Sequence, residues 1–183
     1  MQHDIEIMTL GAEELESHLP ALAAILHDCV TGGASVGFMQ PFTLEEAGAY
    51  WRTVQRAVAC GESILLVARL RDEVVGTVQL GLSTPPNQPH RADVKKLLVH
   101  GAARGKGVAG RLMAAVEAAA MQAGKRLLVL DTATGEPAEA LYDHWGWHRA
   151  GVVPDDALFP DGRFCSTTIF YKTVDRFVES RKQ

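Results

Sequence analysis

The most constraining stretch of this chain is a glycine-rich turn between two apolar runs. Residues 93–99 read as a strand, and Arg104-Gly105-Lys106-Gly107-Val108-Ala109-Gly110 follows. A helix then starts, with Val108, Leu112, Met113, Val116 and Ala120 at near-helical spacing and Gly124 as its stop. Residues 127–130 form a continuous apolar run before Asp131, which reads as a central strand buried on both faces. Strand, glycine turn, helix, strand is a crossover unit and forces a parallel strand pair. Glycines at the mouth of a helix let backbone N–H groups approach an anion, and the helix dipole adds positive potential there.

Charge supports an anion site at this place. The chain carries a net −4, which disfavours a general nucleic-acid binder. Residues 91–126 nevertheless hold eight basic residues against two acidic ones, a local +6. A focused positive field in an acidic chain suits a small polyanion, with a solvated basic face as the plain alternative.

Around this unit the chain reads as helices and antiparallel strands. Residues 5–8 alternate as a short first strand. Residues 11–31 are helical, with Pro20 implying a kink or a late start. Residues 32–39 form a glycine-rich loop. A second helix opens at Thr43, whose spacing to Glu46 fits a capping box, and stops near Gly61. Residues 63–70 and 74–82 read as a hairpin, and three prolines mark 83–91 as a loop. A short helix over 137–145 precedes two closing strands, 147–152 and 167–173. The expectation is a single domain over 1–183. Its class is α+β, with a mixed, mostly antiparallel sheet of six to seven strands and about four helices on both faces.

Composition removes other classes. At 47% apolar and 22% charged residues the chain is neither disordered nor fibrous. Cys29, Cys60 and Cys165 form no paired motif and the seven histidines show no ligand spacing, so no metal is expected. No apolar run is long enough to cross a bilayer, and the first residues lack the pattern of a signal peptide. The reading is a cytoplasmic protein without nucleic-acid or membrane partners, monomeric or homodimeric.

Three phosphate binders compete for the turn. A P-loop needs Ser or Thr after its Gly-Lys, and Gly107 stands there instead. A dinucleotide-binding unit is the stronger rival: residues 105–110 spell GxGxxG, and Asp131 lies 21 residues beyond Gly110. Against it, five residues separate strand from glycines, the strand carries Asp93, Lys95 and Lys96, and the chain closes with strands rather than further β-α units. The third reading is acyl-CoA binding. Residues 104–109 resemble the Arg/Gln-x-x-Gly-x-Gly/Ala turn of the GCN5-related N-acetyltransferases. The segment Leu141-Tyr142-Asp143-His144-Trp145-Gly146-Trp147 resembles that family's Tyr-x-x-x-Gly-Phe stretch, with Trp for Phe. Residues 32–39, 91–97, 130–132 and 160–163 are similar to the tabtoxin-resistance subgroup, where Asp93 departs from the Glu of that pattern.

The resemblance implies acetyl transfer from acetyl-CoA to a small amine, amino-acid-like or antibiotic-like, with coenzyme A as product and a role in antibiotic or toxin resistance. It implies that backbone groups of Leu97, Leu98 and Val99 pair with the pantetheine arm, and that Arg104, Gly105, Lys106, Gly107, Val108, Ala109 and Gly110 cradle the pyrophosphate. Tyr142 would protonate the departing sulfur. Asp131 and Asp93 lie where a base or an ammonium anchor is needed; the plain alternatives are a helix cap and an ion pair. Gly33, Ser35, Val36 and Phe38 would line the amine pocket, Val36 and Phe38 as apolar walls and Ser35 through a hydrogen bond. A non-catalytic acyl-CoA module and an NAD-dependent oxidoreductase remain as alternatives.

Overall fold

The structure, a computed structural model, describes residues 5–174. Its strands are β1 (Ile5–Leu10), β2 (Ser63–Leu70), β3 (Glu73–Gly81), β4 (Arg91–Val99), β5 (Leu127–Ala133), β6 (His148–Leu158) and β7 (Phe164–Thr173). Its helices are α1 (Ala12–Thr31), α2 (Leu44–Ala59), α3 (Val108–Gln122) and α4 (Pro137–His144). The strands form one sheet in the order β1-β2-β3-β4-β5-β7-β6, and every pairing is antiparallel except β4 with β5. The α+β expectation holds, and a dinucleotide-binding sheet, which would be mostly parallel, is excluded.

Local chemistry accounts for the elements. Thr43 caps α2 by accepting the Glu46 N–H at 3.1 Å, while the Glu46 carboxylate accepts the Thr43 N–H at 2.8 Å. Helix α1 starts at Ala12 and runs through Pro20, so the expected late start is not found. Eight buried side chains along α1, from Leu15 to Val30, outweigh the hydrogen bond that Pro20 cannot donate. The buried Trp51 indole donates to the Leu22 carbonyl at 2.8 Å and fixes α2 against α1. Both helices cover one face of the sheet; α3 and α4 cover the other.

Two irregularities shape the centre. The parallel ladder joins Arg91 to Leu127, Ala92 to Leu128 and Asp93 to Val129, and then stops. Beyond Asp93 the two strands part, leaving a fork. On its other edge β4 shifts register against β3: Thr77 pairs with Leu98 and Gln79 with Lys95, so β4 carries one extra residue there. Lys96 takes up the bulge with φ of +54°. Helix α3 is pulled tightly onto β3 beside it, since a Cβ at Gly76 would stand 2.9 Å from Val108 and 3.1 Å from the Leu98 carbonyl.

Strand β5 departs from its expected description. Leu128 and Leu130 are buried, but Leu127 and Val129 are only half-buried, and Asp131 is exposed within a strand that continues to Ala133. One face is open because the fork begins there. Asp131 is therefore not the cap of a following helix.

Candidate active site

The glycine turn sits at the open end of β4. After β4 the chain makes a single 3-10 turn, Gly101–Ala103, and passes through Gly105 and Gly107 at φ of +75° and +83° into α3. A side chain would be strained at either glycine, while the space where its Cβ would stand is empty out to 4 Å. The amides of Val108, Ala109 and Gly110 head the helix, where no intrahelical carbonyl can reach them; the first turn closes when Arg111 N–H meets the Gly107 carbonyl at 3.2 Å. Open backbone amides at a helix start, unobstructed by side chains, fit a pyrophosphate.

The basic residues around this cradle divide. Lys106 is exposed, without a hydrogen bond or ion pair among the described residues. Arg104 folds back: its Nε donates to the Val99 carbonyl at 3.2 Å, and its guanidinium lies 3.6 Å from Asp28. Arg111 is committed to the fold, donating to the Ile5 carbonyl at 2.9 Å. The Trp145 indole borders the first turn of α3, 3.6 Å from where a Gly110 Cβ would stand.

On the far side of the fork, α4 presents Tyr142. The ring is 6% exposed and packs against Trp145, Trp147 and Phe170. Burial, and then the negative charge of Asp131, push its phenol up to about 12. The hydroxyl has no hydrogen-bond partner among the described residues, so it is a protonated, uncommitted donor. Glu139 anchors the helix that carries it. This buried carboxylate accepts from Thr168 Oγ1 at 2.6 Å and from the Gly135 N–H at 2.7 Å, and pairs with Arg149 at 2.8 Å. These bonds, led by Thr168, hold Glu139 below the usual carboxylate range.

The two candidate acids differ. Asp131 faces the fork and makes no hydrogen bond or ion pair among the described residues. Asp93 is held by Arg91 at 2.6 Å, beside a cleft of about 210 Å³ shared with Tyr50, Gln79 and Lys95. The ion-pair alternative weighed for Asp93 is what the structure shows.

The pocket loop also separates. Gly33, at φ of +90°, serves the end of α1, donating to the Val30 carbonyl. The Ser35 hydroxyl donates to the Leu158 carbonyl at 3.0 Å, tying the loop to β6, so it is spent within the protein. Val36 and Phe38 are half-buried against the α1/α2 core. Phe38 packs on Tyr50 with centroids 5.3 Å apart.

Lys96 is the residue that sequence reasoning passed over. It reads as part of a solvent-facing strand, yet its ammonium lies 5.8 Å from the ring centres of both Phe38 and Tyr50. Burial lowers its basicity, and Asp131 across the fork partly restores it. The one local signal was two consecutive lysines interrupting an apolar alternation, as a bulge allows.

Residues 19–147 match the model of the acetyltransferase (GNAT) family. The chain is 36% identical over 106 residues to an uncharacterised N-acetyltransferase from the hisH-hisA intergenic region of Azospirillum brasilense, covering 57% of this chain and 61% of that protein. It thus spans about three fifths of that curated relative's length. Its fold is similar to an N-acetyltransferase from Staphylococcus aureus Mu50, with a TM-score of 0.77, 22% identity, and 94% of this chain and 99% of that one covered. It is also similar to YncA of Salmonella typhimurium, solved with its cofactor acetyl-CoA, with a TM-score of 0.76, 18% identity and coverage of 95% and 96%. At those identities the two structures speak to fold. The family match spans most of the chain and includes the forked strands, the glycine turn and the tyrosine helix: this chain belongs to the acetyltransferase (GNAT) family.

Proposed function

We propose that this chain transfers an acetyl group from acetyl-CoA to the amine of a small molecule. The observation that carries the reading is one juxtaposition. An open amide cradle at 105–110 and a protonated, unpartnered Tyr142 flank the fork where β4 leaves β5. The cofactor supplies a thioester. The cradle binds its pyrophosphate, and the fork-side edge of β4 at Leu97 offers backbone groups to the pantetheine arm, whereas Leu98 is paired with Thr77 of β3. The Val99 carbonyl already accepts from Arg104.

The amine nitrogen attacks the thioester carbon, the C–N bond forms, the C–S bond breaks and the sulfur leaves as a thiolate; the nitrogen then sheds a second proton, which the thiolate takes up to become the thiol. An ammonium has a pKa of about 10.4 and must lose a proton first. Asp131, uncommitted and facing the fork, draws the ammonium in and passes its proton to water. Asp93 serves instead to shape the neighbouring cleft through its bond to Arg91. Tyr142 hydrogen-bonds the departing sulfur. A phenol at about 12 is a weaker acid than a thiol at about 8.5, so its contribution is a hydrogen bond rather than standing proton release. The likeness of residues 32–39, 91–97 and 160–163 to the tabtoxin-resistance subgroup supports an amino-acid-like or antibiotic-like acceptor and a detoxifying role.

Release of coenzyme A thiol, measured with acetyl-CoA across a panel of small amines, tests the reading. Turnover on at least one class of amine is expected. Protection against melting by acetyl-CoA without turnover on any amine identifies a binding module instead.

A further inference from the structure

Strand β4 turns two neighbouring lysines the same way. Ala92 and Val94 face the core under α3, and so do Leu97 and Val99; Leu98 faces α1 and α2. In a regular strand, a shared face for 92, 94, 97 and 99 is impossible, because side chains alternate with a period of two. The extra residue at the bulge restores the pattern and puts Asp93, Lys95 and Lys96 on the α1/α2 face, the face toward which Asp131 also points. A non-glycine residue seldom adopts the left-handed region, and the fold keeps Lys96 there at φ of +54°.

The two lysines end differently. Lys95 is exposed and lies along Gly81. Lys96 is partly enclosed by Phe38 and Tyr50, with its ammonium 3.7 Å from where a Gly37 Cβ would stand. No carboxylate lies within ion-pair distance of it among the described residues. Asp131 attracts it across the fork without forming an ion pair. A partly desolvated cation lacking an anionic partner is costly, and an arriving anion relieves that cost. The site therefore holds one free positive and one free negative charge, facing each other over the gap where the acceptor must lie.

We infer that Lys96 determines acceptor specificity by binding a carboxylate carried on the same small molecule whose ammonium is held at Asp131. The acceptor class is thus an amino acid or other carboxylated amine. Phe38 and Tyr50 restrict the ammonium to positions over their faces and so aim it at the gap. This inference rests on the acetyl-transfer reading above, and assigns Lys96 a role in binding rather than in the chemical step.

The test compares matched acceptors, the common L-amino acids and their carboxamides, by thiol release at fixed acetyl-CoA. The expected result is kcat/KM at least about tenfold higher for the carboxylated member of the best pair, as a charge-assisted contact provides. Lys96→Gln should bring that ratio to within about threefold by raising KM for the carboxylated member, with Lys96→Arg retaining part of the preference. The acetyl-CoA melting shift in each variant verifies that the fold and the cradle survive. Carboxamides used as well as amino acids, or a ratio unaltered by Lys96→Gln, would overturn the inference while leaving acetyl transfer standing. Absence of turnover on every acceptor, with acetyl-CoA still bound, would overturn both.

Discussion

The Asp28 carboxylate, in the last turn of α1, accepts the Gly101 N–H at 2.8 Å. The contact joins residues 73 positions apart and pins the turn that leads into the cradle. The same carboxylate lies 3.6 Å from Arg104 and 3.9 Å from His100. Removing it frees the segment that presents the amides. Asp28→Ala should raise KM for acetyl-CoA about fivefold with kcat little changed, corresponding to about 1 kcal/mol for a partly exposed hydrogen bond. Asp28→Asn, which keeps an acceptor, should restore most of the affinity. Equal losses in both variants would assign the effect to charge instead of to the bond with Gly101.

Tyr142→Phe keeps the ring that packs on Trp145, Trp147 and Phe170, and removes a hydroxyl without a protein partner among the described residues. Stability should change little. The rate of thiol release should fall about 10²-fold, as expected for the loss of one hydrogen bond to the departing sulfur, with acetyl-CoA affinity nearly constant. Because the phenol sits at about 12, no loss of rate from its ionisation should appear below pH 10. An alkaline limb near pH 8 to 9 that disappears in the Phe variant would contradict the assignment.

Gly107 and Gly124 provide a matched pair. Both have positive φ, +83° and +73°, and both have empty space where a Cβ would stand. Alanine at either site should cost roughly 1–2 kcal/mol of stability, from backbone strain alone. Only Gly107→Ala should also weaken acetyl-CoA binding, measured by calorimetry, because its methyl group and altered backbone disturb the cradle. Matching affinities in the two variants would remove the cradle from residue 107.

Glu139 links acid stability to the position of Tyr142, one helical turn away. Its folded-state pKa is depressed, chiefly by the Thr168 hydroxyl, with the Gly135 amide and Arg149 adding to it. The ionised form is therefore favoured on folding. Its contribution is present above the ordinary carboxylate pKa, near 4.5, and is lost as pH falls below that value toward the depressed one. Glu139→Gln should cost about 1–3 kcal/mol in urea unfolding at pH 7, and the gap from the unsubstituted protein should narrow at pH 3. A gap independent of pH would show that the charge is not what matters.

Much of this architecture was legible from local pattern. Period-3.6 runs marked α1, α2 and α3, the Thr43 and Glu46 pair marked a helix start, and the glycine spacing at 105–110 marked the cradle. These signals survive in one sequence because capping, turn geometry and amphipathicity involve residues within a few positions of one another. The partition of the candidate site residues was not legible. Asp93 and Asp131 look alike along the chain, and only pairing across the sheet gives Arg91 to the first and the open fork to the second.

The sequence by itself determined the elements, their order and the place where an anion can meet a helix start, since each depends on short-range chemistry. Tertiary structure alone decided that β4 and β5 part after Asp93, that a bulge turns Lys96 onto the face of Asp131, that Asp28 reaches Gly101, and that Ser35 is spent on Leu158. Each of those outcomes is a register or a contact between distant segments. Its energy comes from packing the sheet between two helical layers, and no window of neighbouring residues carries that term.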